Sequence, residues 1–432
     1  MGLGAFTIRV IAEANDSCNP MKSTVFIFAY WHDRQWKTFV GATVKVWDLA
    51  YNLSGMGHEV IIFLPRYNFQ KSDLPFTVVE IPLMDFPLIR NVTFNLAMLL
   101  YLPLAVKRWK ADIFYVRRGI SLLPLICSKL TGSFLVFEVN DDPYRRNINP
   151  GSRIVKKIRH IISVKSDELY LKLCDLGVVI TNRIKEKIYG RNSHVDRDRL
   201  IVVPSGANTS LFKPLDRHEC VASAGLQSSK KYICFTGSLL KYQGINILIE
   251  AAPHILKKVP ECVFLVIGEG PMKDAWLREV KTSGLESEFC FTGQIDYYDL
   301  PVYIGAAEVC VAPFLKSVGM SSPVKIFDYM ACGKPVVASK ITGTTDVFER
   351  TGAVEIVPAE DPLELATAVV KIINDKELAG KMGKKGREFI LSNYDRSTLA
   401  RKINDEITAR LANQNISSKV RASADRLNPP GL

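Results

Sequence analysis

The chain has little of what would mark a metal, redox or membrane-spanning protein. Its nine cysteines stand singly, with no CxxC and no Cys/His pair at zinc-ligand spacing. That pattern points to reduced core thiols in a cytosol rather than to a disulfide framework or a zinc site. The histidines form no triad or metal set by spacing, and His58 reads as a helix-end residue. No apolar run reaches the ~20 residues that a bilayer span needs. Residues 94–106 come nearest, but they contain Pro103 and end at Lys107-Arg108-Trp109-Lys110. The first residues lack the basic, apolar, small-residue order of a signal peptide. Met21-Lys22 directly precedes an apolar strand, so Met21 is read as a candidate start and residues 1–21 as an extension.

What is present is an ordinary globular balance, 47% apolar and 23% charged, over 432 residues. That length favours two domains. The charge is uneven. Residues 1–215 hold 29 Lys and Arg against 18 acids, and residues 216–432 hold 27 against 26. A basic first half beside a nearly neutral second half points to a polyanionic partner for the first.

Both halves alternate strand and helix patterns. Residues 24–30 (TVFIFAY) form a β-branched and aromatic run, as a buried parallel strand requires. A loop with Gly41 and a helix over 43–53 follow, stopped by Gly55 and Gly57; residues 60–64 are the next strand. Further strands are read at 113–116, 134–139, 176–180 and 200–203. The second half repeats the rhythm at 232–236, 263–267, 289–292, 309–312 and 335–338, with helical spacing between. This predicts α/β architecture with a doubly wound parallel sheet in each half. The boundary falls near Lys213-Pro214-Leu215, giving domains at 22–214 and 215–395. Residues 396–416 are expected to form a helix returning to the first domain, and 417–432 a disordered tail.

The most informative stretch is GMSSPVKIFDYMACGKPVVAS, residues 319–339. A loop runs into a helix expected to begin at Pro323, a favoured first helical position, with Ser322 as its N-cap. Backbone N–H groups and the helix dipole there favour an anion. Lys325 adds a positive charge in the first turn. Asp328, about one turn later, can accept hydrogen bonds from vicinal hydroxyls. A capped helix with surface charges would read the same way from spacing alone.

Four segments together resemble the GT-B glycosyltransferases grouped as family 4, or glycosyl transferase group 1. They are Phe235-Thr236-Gly237-Ser238-Leu239, Val266-Ile267-Gly268-Glu269-Gly270-Pro271, residues 322–337, and Val202-Val203-Pro204-Ser205-Gly206-Ala207-Asn208; Gly57-His58-Glu59-Val60 adds a fifth. The resemblance covers nearly the whole chain and is most specific over 232–394. It implies two Rossmann-like domains facing a cleft, and transfer of a sugar from a UDP- or GDP-sugar with retention. It also implies no metal and no cofactor beyond the substrate, so positive groups must offset the leaving diphosphate. The donor-site residues it implies are Gly237, Ser238, Lys241, Gln243, Gly268, Glu269, Gly270, Met320, Ser321, Ser322, Pro323 and Asp328.

Three departures stand out. The family's Arg and Lys near the first second-half strand read Ser238 and Gln243, so Lys325, with Lys241, is the candidate replacement for the diphosphate cations. The family's paired Glu residues map onto Met320 and Asp328. Asp328 keeps a ribose role at shorter reach, and backbone amides of 320–322 take over from the missing carboxylate. Where the family often has His, this chain has Asn140-Asp141-Asp142-Pro143. Asn140 and Asp141 are read as catalytic-cleft candidates, and Gly41 and Asp142 as acceptor-side ones. A turn built by Asn, Asp and Pro accounts for the same residues.

Residues 145–165 hold seven Lys and Arg and no acid. Ile154, Ile158, Ile161 and Ile162 form an apolar stripe at helical spacing. Arg153, Lys156, Lys157 and Arg159 are therefore candidates for contact with an anionic leaflet, against an ordinary amphipathic helix packed on its domain. The expected acceptor is a glycan or a lipid-linked molecule at the inner membrane face. Nucleic acid is disfavoured because the basic stretch lacks interleaved aromatics. Two alternatives share the fold: a sugar-nucleotide 2-epimerase and a catalytically weak nucleotide-sugar-binding subunit.

Overall fold

The computed structural model describes residues 22–30, 41–66, 74–84, 86, 89–119, 121–144, 154–192, 195–318 and 322–427. Met320, Ser321 and Arg153 fall outside them. So do the side chains of Lys156 and Arg159, although their backbones are helical.

The first lobe holds seven parallel strands: β1 (Thr24–Phe28), β2 (Glu59–Pro65), β3 (Thr77–Ile81), β4 (Ile113–Arg117), β5 (Phe134–Val139), β6 (Leu176–Val179) and β7 (Leu200–Val202). They are ordered β3-β2-β1-β4-β5-β6-β7. The second lobe holds six: β8 (Lys231–Thr236), β9 (Cys262–Ile267), β10 (Phe289–Gly293), β11 (Val309–Ala312), β12 (Val336–Ser339) and β13 (Val354–Val357). Their order is β10-β9-β8-β11-β12-β13. Every pairing in both sheets is parallel. Strand order reverses at β1/β4 and again at β8/β11, and an open α/β sheet forms its ligand crevice beyond the carboxyl ends of such a point.

Each sheet is buried on both faces, which is why its strands read as continuous apolar runs. Tyr232 and Cys234 of β8 enter one core and Ile233 and Phe235 the other. Phe26 and Phe28 of β1 face one core of the first lobe, and Val25 and Ile27 face the other. Fully burying such a side chain contributes about 1.5–3 kcal/mol.

Two strands escaped the sequence reading, β3 and β13. Both are sheet-edge strands and carry a Glu (Glu80, Glu355) within a short run, which blurs the apolar signal. The near-span at 94–106 is part of helix Arg90–Trp109, which buries Phe94, Met98, Leu102 and Ala105 against the sheet. No helix among the described residues is long and apolar enough to cross a membrane.

After the second sheet the chain returns to the first lobe. Asp395 bridges to Ala207, and helix Arg396–Leu427 packs Leu399, Ala400, Ile403 and Ile407 into the core shared with Trp47, Ala50 and Leu53 of helix Gly41–Gly55. The helix runs past residue 417, where the tail was expected to begin, to Leu427. Polarity alone does not break a helix. Residues 417–427 contain neither Gly nor Pro, and Pro429-Pro430 lies just beyond, where the missing N–H stops propagation.

His58 joins this packing. Its Nδ1 accepts from the Ser23 amide at 3.3 Å, and its Nε2 lies 2.8 Å from Asn404 Oδ1. It is a structural helix-end residue that ties the first lobe to the returning helix.

Candidate functional site

The site grows from the switch point of the second sheet. The turn after β8 and the turn after β9 stack on each other at Gly237 (φ 132°) and Gly268 (φ 140°). Only glycine adopts such angles without strain, and a Cβ on Gly268 would collide with the Gly237 carbonyl oxygen. The amides of both glycines are already spent, on the Ile267 and Gly293 carbonyls at 2.9 and 2.8 Å. An anion arriving here must therefore find its positive partner elsewhere.

Lys325 supplies one. It sits in the first turn of helix Val324–Ala331 and is partly buried. Its Nζ lies 3.6 Å from the Phe235 ring centroid and 5.4 Å from that of Phe314. It donates to Gln243 Oε1 at 2.6 Å, and a Cβ placed on Gly237 would be 3.0 Å from it. No carboxylate pairs with it among the described residues. Burial pushes this ammonium well below its ordinary range, because the aromatic faces and one amide oxygen replace water incompletely. The structure thus brings together Gly237, Gly268, Gln243 and Lys325. Ser238 and Gly270 are partly exposed in the same turns. Glu269 pairs with Lys273, and Lys241 is exposed at the start of the short turn Lys241–Gln243.

The expected N-cap is corrected. The helix begins at Val324, after Pro323 at ψ 66°, and has no side-chain cap. The Ser322 hydroxyl instead accepts from the Ser205 amide at 3.4 Å, tying the loop to the segment between the lobes.

Asp328 is more deeply placed than a surface carboxylate. It is 6% exposed, and its Oδ1 has no hydrogen-bond partner. Burial raises its pKa to about 7, with Arg396 opposing and Asp48 adding to the shift. Around it lies a network that the sequence reading missed. Arg396, at the start of the returning helix, bonds to Asp48 of the first lobe. It also donates to the Tyr297 hydroxyl at 3.0 Å and the Ser205 carbonyl at 3.2 Å. Asn208 donates to the other Asp48 oxygen at 3.0 Å. Burial alone would lower the Arg396 pKa, but Tyr297, Asp48 and Asp328 raise it overall. One guanidinium thus joins both lobes and the segments between them.

Across the cleft, Asn140 is half-buried at the end of β5. Asp141 pairs with Arg118, which also holds Asp167 at 2.6 Å. Asp142 is buried, pairs with Lys187 and accepts from the Tyr144 amide at 3.0 Å. Its carboxylate is engaged within its own lobe and builds the turn.

Glu138, one residue pair earlier, was also passed over. It is 1% exposed, takes a bond from Lys45 at 2.6 Å and one from Tyr115 at 2.9 Å, and has Arg117 Nε at 3.7 Å. Burial alone would raise its pKa, but Lys45 and Arg117 hold it below the usual range. A lone acid inside the apolar run FLVFEV was the available signal, since a buried charge demands partners. Arg396 carried no such signal. Gly41 begins its helix rather than a loop. Lys157 is exposed.

Comparison with known proteins matches both lobes. Residues 40–211 match the family model described as Glycosyltransferase Family 4, and residues 230–375 match that of Glycosyl transferases group 1. The chain belongs to the group 1, family 4 glycosyltransferases. It is 25% identical over 209 residues to a GDP-mannose-dependent alpha-(1-6)-phosphatidylinositol monomannoside mannosyltransferase of Mycobacterium tuberculosis, covering 47% of this chain and 54% of that one. The match thus spans about half the length of that relative. A 2-deoxystreptamine N-acetyl-D-glucosaminyltransferase of Streptomyces fradiae is 23% identical over 386 residues, 84% of this chain and 89% of that one. Among solved structures, sucrose-phosphate synthase from Thermosynechococcus elongatus superposes with TM-score 0.71 at 19% identity, over 92% of this chain and 100% of that one. The likeness establishes the two-domain GT-B fold.

Proposed function

We propose that the chain transfers a glycosyl group from a nucleoside-diphosphate sugar, UDP- or GDP-linked, to a glycan or lipid-linked acceptor. The donor lies on the second lobe with its diphosphate toward Lys325 and its ribose toward Asp328. The acceptor approaches from the first lobe past Asn140. The acceptor hydroxyl oxygen bonds to the anomeric carbon as the carbon–oxygen bond to the diphosphate breaks. The hydroxyl proton leaves toward the departing diphosphate, and retention follows the family pattern. No metal is needed if a lysine meets the developing charge.

One observation carries this reading. Lys325 is held beside the Gly237 turn with an amide oxygen but no carboxylate among the described residues, in the place where the family's two usual cations are missing. An arriving diphosphate would restore its charge. The uneven charge supports work at an inner membrane face, with the basic lobe toward anionic lipid.

The test is thermal-shift screening with UDP-, GDP- and dTDP-sugars, followed by assay of nucleoside diphosphate release. A bound donor raises the melting temperature according to its concentration over Kd, and slow hydrolysis releases UDP or GDP. Stabilisation without any release would establish a binding subunit instead. A 2-epimerised donor would establish an epimerase. No shift with any of the donors would overturn the reading.

A further inference from the structure

Helix Arg90–Trp109 has a second face that no part of the described chain covers. Val92, Leu96, Leu99, Leu100 and Leu104 are exposed, Leu100 at 70%. They recur at helical spacing opposite Phe94, Met98 and Leu102, which hold the helix to the sheet. The neighbouring helix Leu123–Thr131 buries Leu125 in the same core and turns Ile126 and Leu130 outward. Helix Ile154–Leu173 does likewise, burying Tyr170 and Leu171 while Ile158, Ile161 and Ile162 stand exposed. Three helices packed on the same core thus each keep exposed apolar side chains. Scattered exposed leucines need no explanation, but five exposed apolar residues along one helix do.

The charges around it identify the occupant. Residues 86–173, through the end of helix Ile154–Leu173, hold 15 Lys and Arg against six acids. Helices Arg90–Trp109 and Leu123–Thr131 contain no acid at all. Of the six, Glu138 and Asp142 are buried in ion pairs, Asp141 and Asp167 pair with Arg118, and Glu168 pairs with Lys165. Asp112, two residues beyond Lys110, takes the Thr24 amide. Lys107, Arg108 and Lys110 close the far end of the apolar strip, where long basic side chains can reach lipid phosphates while their stems lie among the leucines. A symmetric contact between two copies would set these cations against their own images. An anionic leaflet neutralises them.

We propose that this face docks the enzyme on an anionic lipid surface, with helix Arg90–Trp109 lying in the headgroup region and its leucines buried at the acyl boundary. The basic helix Ile154–Leu173 is then a flank of the contact rather than its centre. The strip begins beside the cleft. β3 ends at the carboxyl edge of the sheet, and Met84 and Phe86 stand exposed between it and the helix. The docked orientation therefore places the cleft edge of the first lobe at the lipid surface. The inference concerns location and does not depend on donor chemistry.

The test is co-sedimentation of the full chain with vesicles of phosphatidylcholine alone or mixed with phosphatidylglycerol. It compares wild type with Leu96→Gln/Leu100→Gln/Leu104→Gln and with Lys107→Gln/Arg108→Gln/Lys110→Gln. Wild type is expected to bind the mixed vesicles and to bind the neutral ones weakly. The leucine variant should partition about tenfold or more less at low and high salt alike, while melting at the same temperature because its side chains were exposed. The basic variant should lose binding mainly at low salt. Wild type left in the supernatant with both vesicles would overturn the proposal. So would a leucine variant that binds like wild type, or a wild-type dimer in light scattering that the leucine variant dissociates. The single Leu100→Gln variant makes the same comparison if the triple variant fails to fold. Nucleoside diphosphate release, assayed without vesicles, reports separately on the donor site.

Discussion

The two lobes share one architecture and use charge in opposite ways. In the second lobe positive and negative residues nearly balance, and the telling charges are single groups without a bonded counter-charge among the described residues: Lys325 beside Gln243 and two aromatic rings, and Asp328 with a bare Oδ1. In the first lobe the surplus is large and basic, yet the charges at the cleft edge are satisfied. Glu138 is met by Lys45, Tyr115 and Arg117, Asp141 by Arg118, and Asp142 by Lys187. A group without a partner is poised for a ligand, and a group with several is part of the frame. On the proposed function, polarity binds in one lobe and braces in the other.

That contrast can be broken from either side. The largest effect belongs to the brace. Glu138→Ala strands Lys45 and Tyr115 in the interior and should cost about 3–5 kcal/mol of stability, read from denaturant midpoints. Glu138→Gln should cost less because it keeps a hydrogen-bond acceptor. A stable Glu138→Ala protein would show that the network is not structural.

Lys325→Ala should do the reverse. Turnover should fall about 100-fold, as for loss of one group that stabilises developing charge, with donor binding changed far less and stability hardly at all. Steady-state kcat and KM separate these terms, and near-wild-type turnover would remove Lys325 from the mechanism.

Asp328 sharpens the comparison through pH. Its folded pKa of about 7 lies above the ordinary 3.8, so between these values the folded state holds more protons than the unfolded one. Its contribution to stability is present below about pH 4 and is lost as pH rises toward 7. Asp328→Asn should flatten that decline in the melting-temperature profile of the unliganded protein while weakening donor binding. An unchanged profile would mean that the carboxylate is already ionised and paired.

The smallest effect is at the returning helix. His58→Ala removes the contacts to Ser23 and Asn404 and should cost about 1 kcal/mol, without change in turnover.

The sequence by itself determined the class of fold. Short continuous apolar runs alternating with helical spacing demand parallel sheets covered on both faces, and eleven of the thirteen strands were legible for that reason. The edge strands β3 and β13 were not, because an edge tolerates a charge within its run. The glycine turns and the segment 319–339 also marked the proposed donor side, and the lack of the usual Arg and Lys made Lys325 the candidate cation. Tertiary structure decided which charges are met. Nothing local tells that Arg396 reaches Asp48 across 348 positions, that Ser322 serves the lobe junction rather than its own helix, or that Asp142 belongs to Lys187. Nor does the pattern of residues 90–109 say which of its two apolar faces is covered. Backbone pattern follows from neighbours in the chain. The solvation of a charge or a leucine follows from what folding places beside it.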